Sequence, residues 1–323
     1  MSSKKVRTLI TLGLVVVAAI LFSVTTDTFF NLSNFSNLLR DAAYIGTVAI
    51  GMSVVMISGN IDLSAGGVIC LSGCVGARLA VIGAPAFIVV IATILTGIAL
   101  GYINSVMINH LHLTPFVATL AAGFVYSGLG LLSAFRDDYG RLTNVMIMNR
   151  NFTALSNRVG IFYYSVIAWV ILTAAVYFVQ SRTKFGLHTY AMGSHESAAQ
   201  MSGVKLIRSK AMCYMICGAL CGIAAVFTIA YNQTATPALG TSMEFQAIAA
   251  CVVGGVVMSG GSGNAVGAAL GALFMAMLTN GMLKYGMNTD WQQIFQGAVI
   301  IIAIGFDAIF TRVTTARLRA QNE

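Results

Sequence analysis

An all-α bundle of about ten membrane-spanning helices is the fold class this sequence predicts, and three observations predict it. Hydrophobic residues make up 58% and charged residues 9% of the 323 positions, with a mean hydropathy of +0.85. A soluble domain carries roughly 25% charged residues, so this chain can clothe a surface facing lipid and not one facing water. Apolar runs of about 20 residues, the length that crosses a bilayer, recur along the chain. Basic residues gather in a few segments, the usual mark of cytoplasmic loops. The formal net charge of +8 therefore reports orientation in the membrane and not nucleic-acid binding, and residues 1–323 read as one transmembrane domain.

The first span, about Leu9–Val24, follows a basic start that mimics a signal peptide. No convincing small-x-small cleavage site follows, so it reads as a retained helix. The second is Ala42–Ser58, preceded by Arg40 and Asp41, and the third Ser64–Ile82. The fourth is Phe87–Ile108, and Thr114-Pro115 opens the fifth, Thr114–Ala134, as a helix-start signal. The sixth and seventh are Ile161–Val179 and Ala211–Tyr231. The eighth, ninth and tenth are Phe245–Met258, Ala265–Leu283 and Ile294–Phe310. The third and eighth are short and glycine-rich, which leaves the count open by one or two.

Ten crossings place Lys4, Lys5 and Arg7, the group Arg182, Lys184, Lys205, Arg208 and Lys210, and Arg312, Arg317 and Arg319 on one side. That side is expected to be the cytoplasm, with both termini there. The loop over 136–160 falls outside and departs from the rule, carrying Arg136, Arg141, Arg150 and Arg158 against Asp137 and Asp138. It is expected to fold as a small periplasmic element.

Several groups are better explained by packing than by chemistry. Cys213, Cys217 and Cys221 share one helix face, as do Cys70 and Cys74, and thiols at that spacing inside lipid read as soft packing rather than a metal site. His110, His112, His188 and His195 fall near cytoplasmic helix ends and read as solvated. Phe116, Tyr126 and Tyr231 suit either a solute path or an interface belt. No nucleophile stands beside a base, so no catalytic residue is assigned. No Gly-Lys pair exists, hence no phosphate-binding P-loop. If ATP drives this protein, another chain binds it.

Two segments carry polar groups where the pattern calls for apolar ones. "ISGNIDLSAGG", Ile57 to Gly67, sets Asn60, Asp62 and Ser64 among glycines between apolar runs. A carboxylate in hydrocarbon costs about 2.5–3.5 kcal/mol even on insertion scales, so Asp62 faces protein. Either Asp62 and Ser64 cap the next helix, or a broken helix lines a path or gate. "VVMISGN" (Val54–Asn60) is echoed by "VVMSGGSGN" (Val256–Asn264), with Gly260, Gly261 and Asn264 in the second copy. Both segments run inward, so the echo suggests a parallel repeat of broken, glycine-rich helices, with chance similarity as the alternative. The second polar segment is Ser181–Lys210, whose middle reads as a short amphipathic helix with small Ala198, Ala199 and Ser202 and a terminal Gly203. It is a basic connector or a docking element for a cytoplasmic partner.

"GNIDLSAGG", "LTPFVATLAAG", "RTKFGLHTYAMGSHESAAQMSGV", "FQAIAACVVGGVVMSGGSGNAVGAALGAL" and "WQQIFQGAVIIIA" occur in that order. Together, over about Arg40 to Asp307, they resemble the ribose-type sugar permeases of bacterial ABC importers. The resemblance implies a multi-pass inner-membrane subunit and a pathway formed by two permeases, identical or related. It implies a cytoplasmic ATP-binding cassette subunit that holds the ATP, and a periplasmic protein that delivers a monosaccharide. It also makes residues 181–210 an ATPase-coupling loop, through Arg182, Phe185, Gly186, Gly193, Glu196, Ser197, Ala198, Ala199, Ser202 and Gly203.

The chain departs from the family pattern in that loop. With the glycines aligned, Ser197 takes the usual Glu position, Glu196 falls one residue early, and Gln200 replaces an Arg. One residue is about 100° of helix, which puts the family contact of Glu196 in doubt. Asp290 stands where an apolar residue is usual. The competing reading is a stand-alone secondary transporter of a small polar solute, for which Asp62 would be the intramembrane relay.

Overall fold

Asn31 opens the first deeply buried helix, its side-chain oxygen accepting from the Ser33 N–H at 3.0 Å. The computed structural model describes residues 3–302, apart from 27, 135–141, 144, 235, 237, 289 and 300, together with residue 305. The elements are α1 (Ser3–Thr25), α2 (Leu32–Ile57), α3 (Ala65–Val81), α4 (Ala86–Asn109) and α5 (Pro115–Ser133). A helical turn α6 (Arg150–Thr153) and a hairpin of β1 (Arg158–Val159) with β2 (Phe162–Tyr163) lead into α7 (Tyr164–Arg182). Then come α8 (Lys184–Ser194), α9 (Glu196–Met201), α10 (Leu206–Asn232), α11 (Met243–Val253) and α12 (Ala265–Lys284), with a further helical stretch over 290–299.

Among the described residues, six helices are long and apolar enough to cross a membrane: α2, α4, α5, α7, α10 and α12. Shorter apolar helices cover Leu9–Thr25, Ala65–Val81 and Met243–Val253. The expected tenth span lies partly outside the described residues, as do Arg312, Arg317, Arg319, Arg136 to Asp138 and Arg141.

α2 forms the centre. From Ala42 to Ile57 every residue except Tyr44 is buried, as suits a helix apolar on all sides. By contrast α4, α5 and α7 turn large apolar side chains outward: Ile91, Leu95, Phe124, Val170 and Phe178 are each more than half exposed. Such a belt suits contact with lipid.

α2 starts ten residues before the expected Ala42. Arg40 and Asp41 do not end the helix because they neutralise each other: Nε and Nη2 of Arg40 donate to Asp41 Oδ1 at 3.1 and 2.7 Å. The guanidinium also stacks 3.9 Å from the Tyr231 ring centre. α4 and α10 pack through Gly97 and Gly101 against Gly218 and Gly222, and a methyl group on Gly97 would collide with the Gly218 carbonyl. This paired small-xxx-small contact joins two spans for which close glycine packing was not expected.

Candidate functional site

Two chain reversals inside the bundle meet each other, and α8 closes over both. The first follows α2. Gly59 adopts φ +79°, and the N–H groups of Gly59 and Asn60 return to Met56 O and Val55 O at 2.9 and 3.2 Å, the glycine-terminated helix end that leaves few orphan carbonyls. Asn60 Nδ2 donates to Ser58 O and Ser58 Oγ at 3.2 and 3.0 Å. The second follows α11, where Gly255 at φ +81° ends the helix in the same way. The chain turns through Gly260 and Gly261 before Asn264 caps α12, its Oδ1 accepting from the Gly267 N–H at 2.7 Å.

Gly261 N–H donates to Ile57 O at 2.9 Å, so the two reversals are bonded main chain to main chain. A Cβ on Gly260 would stand 2.7 Å from the Cα of Gly59. Gly193, near the end of α8, completes the junction. A side chain there would run into the Ile57 carbonyl and the Gly261 amide, which explains glycine at that position. Tyr190 on α8 donates to Gly263 O at 2.7 Å. At the end of α7, buried Gln180 donates through Nε2 to Ser53 Oγ at 3.2 Å on α2, and its Oε1 accepts from Ala265 N–H at 2.8 Å at the start of α12. Thr183 Oγ1 starts α8 by accepting from Gly186 N–H at 3.2 Å, with Gly186 folded against the carbonyls of Val179 and Gln180. Arg182 is exposed, while Phe185 is partly buried against the core.

The rest of the loop has a different character. The short helix expected around Ala198 and Ala199 is α9, and α8 precedes it as a separate helix, because His195 between them is extended at φ −162° and ψ 99°. On α9, Glu196, Ser197 and Ala198 are exposed, as is Ser202 after it, and only Ala199 is buried. Met201 is 90% exposed. Gly203 at φ +84° ends α9, its N–H returning to Gln200 O and that of Val204 to Ala199 O at 2.9 and 3.1 Å. Glu196 pairs with Lys210 at 2.7 Å, and Ser197 Oγ lies 3.2 Å from His195 Nδ1.

Asp62 and Ser64 stand apart from this junction. Asp62, 1% exposed, accepts at Oδ1 from the N–H and Oγ of Ser64 at 2.9 and 2.6 Å. Asn104 Nδ2 donates to Ser64 Oγ at 2.6 Å, and Tyr126 OH to Asn104 Oδ1 at 2.9 Å. Leu63 N–H donates to Thr119 Oγ1, and Tyr214 OH to Ile61 O. Ser64 is the residue at the start of α3 but makes no side-chain capping bond, because its backbone is already helical and its hydroxyl turns back to Asp62. Tyr126 is likewise in the core. The six pathway candidates thus split: Asn60, Gly260, Gly261 and Asn264 belong to the paired reversals, Asp62 and Ser64 to a network tying α3 to α4.

The repeated letters "VVM" fall on different backbone. Val54–Met56 is the last turn of α2, whereas Val256–Met258 lies in the loop beyond α11, since Gly254 and Gly255 end that helix earlier.

Residues 34–304 match the family described as the branched-chain amino acid transport system / permease component. The chain belongs to that permease family. It is 30% identical over 304 residues to the ribose import permease protein RbsC of Escherichia coli strain K12, covering 92% of each chain. It is 35% identical over 299 residues to the RbsC protein of Bacillus subtilis strain 168, covering 92% of this permease and 91% of that one. The fructose import permease protein FruG of Bifidobacterium longum is 28% identical over 284 residues, with 86% and 83% covered. Among solved structures, a metal-chelate type ABC transporter in an inward-facing conformation shares the fold, with a TM-score of 0.52 at 14% identity over 97% of this permease and 99% of that chain.

Gln180, Tyr190, Gly59 and Met201 were not singled out from sequence. Gln180 had one signal, an amide ending an apolar helix just before the basic loop. Met201 had another, an apolar residue beside the terminal glycine of a polar helix.

Proposed function

We propose that this permease is the membrane-spanning subunit of an ATP-driven sugar importer. It would form the translocation path with a second permease, identical or related, and couple to a separate cytoplasmic ATPase that holds the ATP. The observation that carries this reading is the junction of α8 with both reversals, supported by the sugar-import relatives. A force on a cytoplasmic helix bonded to two breaks in the bundle reaches the ends of α2 and α11 and the starts of α3 and α12 together. No chemistry is needed in this chain. ATP binding by the partner biases two packings of the bundle, as any ligand with differential affinity does. Residues 181–210 are the ATPase-coupling loop, with α9 as the docking face. Ten crossings put both termini and that loop in the cytoplasm of a bacterial inner membrane. The loop over 136–160 then faces the periplasm, where a binding protein delivers the monosaccharide. Despite the mismatch of the "VVM" letters, the two glycine-terminated reversals before α3 and α12 support the repeat.

Gentle extraction from native membranes followed by mass spectrometry tests the reading. An ATPase subunit should co-purify with the wild type and be lost from Ala198→Trp. Recovery of the chain alone, in a preparation that keeps other ABC complexes whole, would instead put the secondary transporter first.

A further inference from the structure

We propose that the cleft between α4 and the α9–α10 joint is a binding site for the phosphate headgroup of an acidic phospholipid. The cleft has a volume of about 540 Å³. Tyr102, Ser105 and His110, on and just beyond the last turns of α4, line one wall, and Gln200, Lys205 and Arg208 line the other. The walls are tied where Asn109 Nδ2 donates to Ile207 O at 3.3 Å.

Charge argues for an anion. Lys205 and Arg208 are exposed, and among the described residues neither side chain has an ion-pair or hydrogen-bond partner. The carboxylate nearest in sequence, Glu196, is engaged by Lys210. A guanidinium and an ammonium lining the same cleft as the Tyr102 hydroxyl suit phosphate oxygens, the guanidinium through paired N–H groups. Position argues for an anion that carries acyl chains. The cleft lies where α4 ends and α10 begins, both apolar helices, and Val106, Leu206 and Ile207 line it, Ile207 being 55% exposed. Free phosphate would use the cations and leave this apolar rim in water. A phospholipid covers both, and basic pockets between membrane helices bind acidic headgroups in this way. The bound lipid would brace the joint from which α9 projects.

The inference rests on α4 and α10 crossing the bilayer, and not on the ATPase or the sugar. Its test is therefore binding alone. Native mass spectrometry of the full-length protein, released from nanodiscs holding equal phosphatidylglycerol and phosphatidylcholine, should show phosphatidylglycerol retained selectively. Lys205→Gln with Arg208→Gln should weaken that retention about twenty-five-fold, since each basic group near an acidic headgroup contributes about fivefold. Lys284→Gln, at the end of α12, should leave it unchanged. If the double variant does not fold, raised salt applied to the wild type should weaken retention by screening these exposed cations. Equal retention of the two lipids, insensitivity to both the double substitution and salt, or displacement by millimolar inorganic phosphate would each overturn the proposal. Failure of the ATPase to co-purify would leave it standing.

Discussion

The two short helices of the loop between α7 and α10 sit one residue apart and do opposite things. α8 is locked inward. Gly193 leaves no room against Ile57 and Gly261, Tyr190 holds Gly263, and Gln180 just before it holds both Ser53 and Ala265. α9 faces outward, with Glu196, Ser197, Ala198 and Met201 uncovered and Ala199 as its one buried side chain. The hinge between them is the single extended residue His195. A helix with no slack transmits displacement, and a helix with a free face receives it. On the function proposed above, the difference suits α9 to partner contact and α8 to conveying that contact into the bundle.

The largest expected effect comes from filling the tightest contact. Gly193→Val sets a branched side chain against two backbone segments that cannot swing aside as a side chain can. Overpacking of this kind costs about 1–3 kcal/mol, occasionally more. Sugar uptake by cells should be abolished while the ATPase still co-purifies. Loss of the ATPase together with transport would erase the distinction between the helices.

Next in size is Met201→Glu. Removing an exposed apolar side chain from α9 should weaken ATPase binding about thirtyfold, an effect of interface hot-spot size. It should leave the melting temperature of the isolated permease unchanged. An altered melting temperature would mean that α9 is part of the bundle after all.

Gln180→Leu keeps roughly the same volume but abandons Ser53 Oγ and the Ala265 N–H. Leaving buried polar groups unpaired costs about 1–3 kcal/mol, so thermal unfolding in detergent should shift downward. Smallest is Glu196→Gln. The Glu196 end of its pair with Lys210 is half exposed, and pairs open to solvent contribute about 0–1 kcal/mol. Uptake should change little, and any difference should vanish at high salt.

Much of the fold was legible because the helix ends are written in local chemistry. The starts of the third and ninth spans were placed within a residue of α3 and α12, since Ser64 and Asn264 precede unbroken apolar runs, and Gly203 announced the end of α9. The start of α2 was misplaced because charge was read as a boundary, and only tertiary structure reveals that Arg40 is matched by Asp41 and Tyr231. The helix expected in the loop is α9, whereas α8 before it was not foreseen, because nothing local marks His195 as an extended break between two helices. Least legible was the junction itself. Ile57, Gly193 and Gly261 are far apart in sequence, and a glycine needed for close approach looks the same as one needed for a turn. Asp62 was recognised as facing protein, but its link through Ser64 to Asn104 and Tyr126 depends on helices whose pairing no periodicity encodes.

The most direct test is the number of sugar molecules imported per ATP hydrolysed when Gly193→Ala is assembled with its ATPase in proteoliposomes. A single methyl group there should leave the ATPase bound and hydrolysing while the ratio falls at least tenfold, because the partner's motion no longer reaches the paired reversals. A ratio equal to that of the wild type, with the ATPase bound, would contradict the claim that α8 carries the coupling.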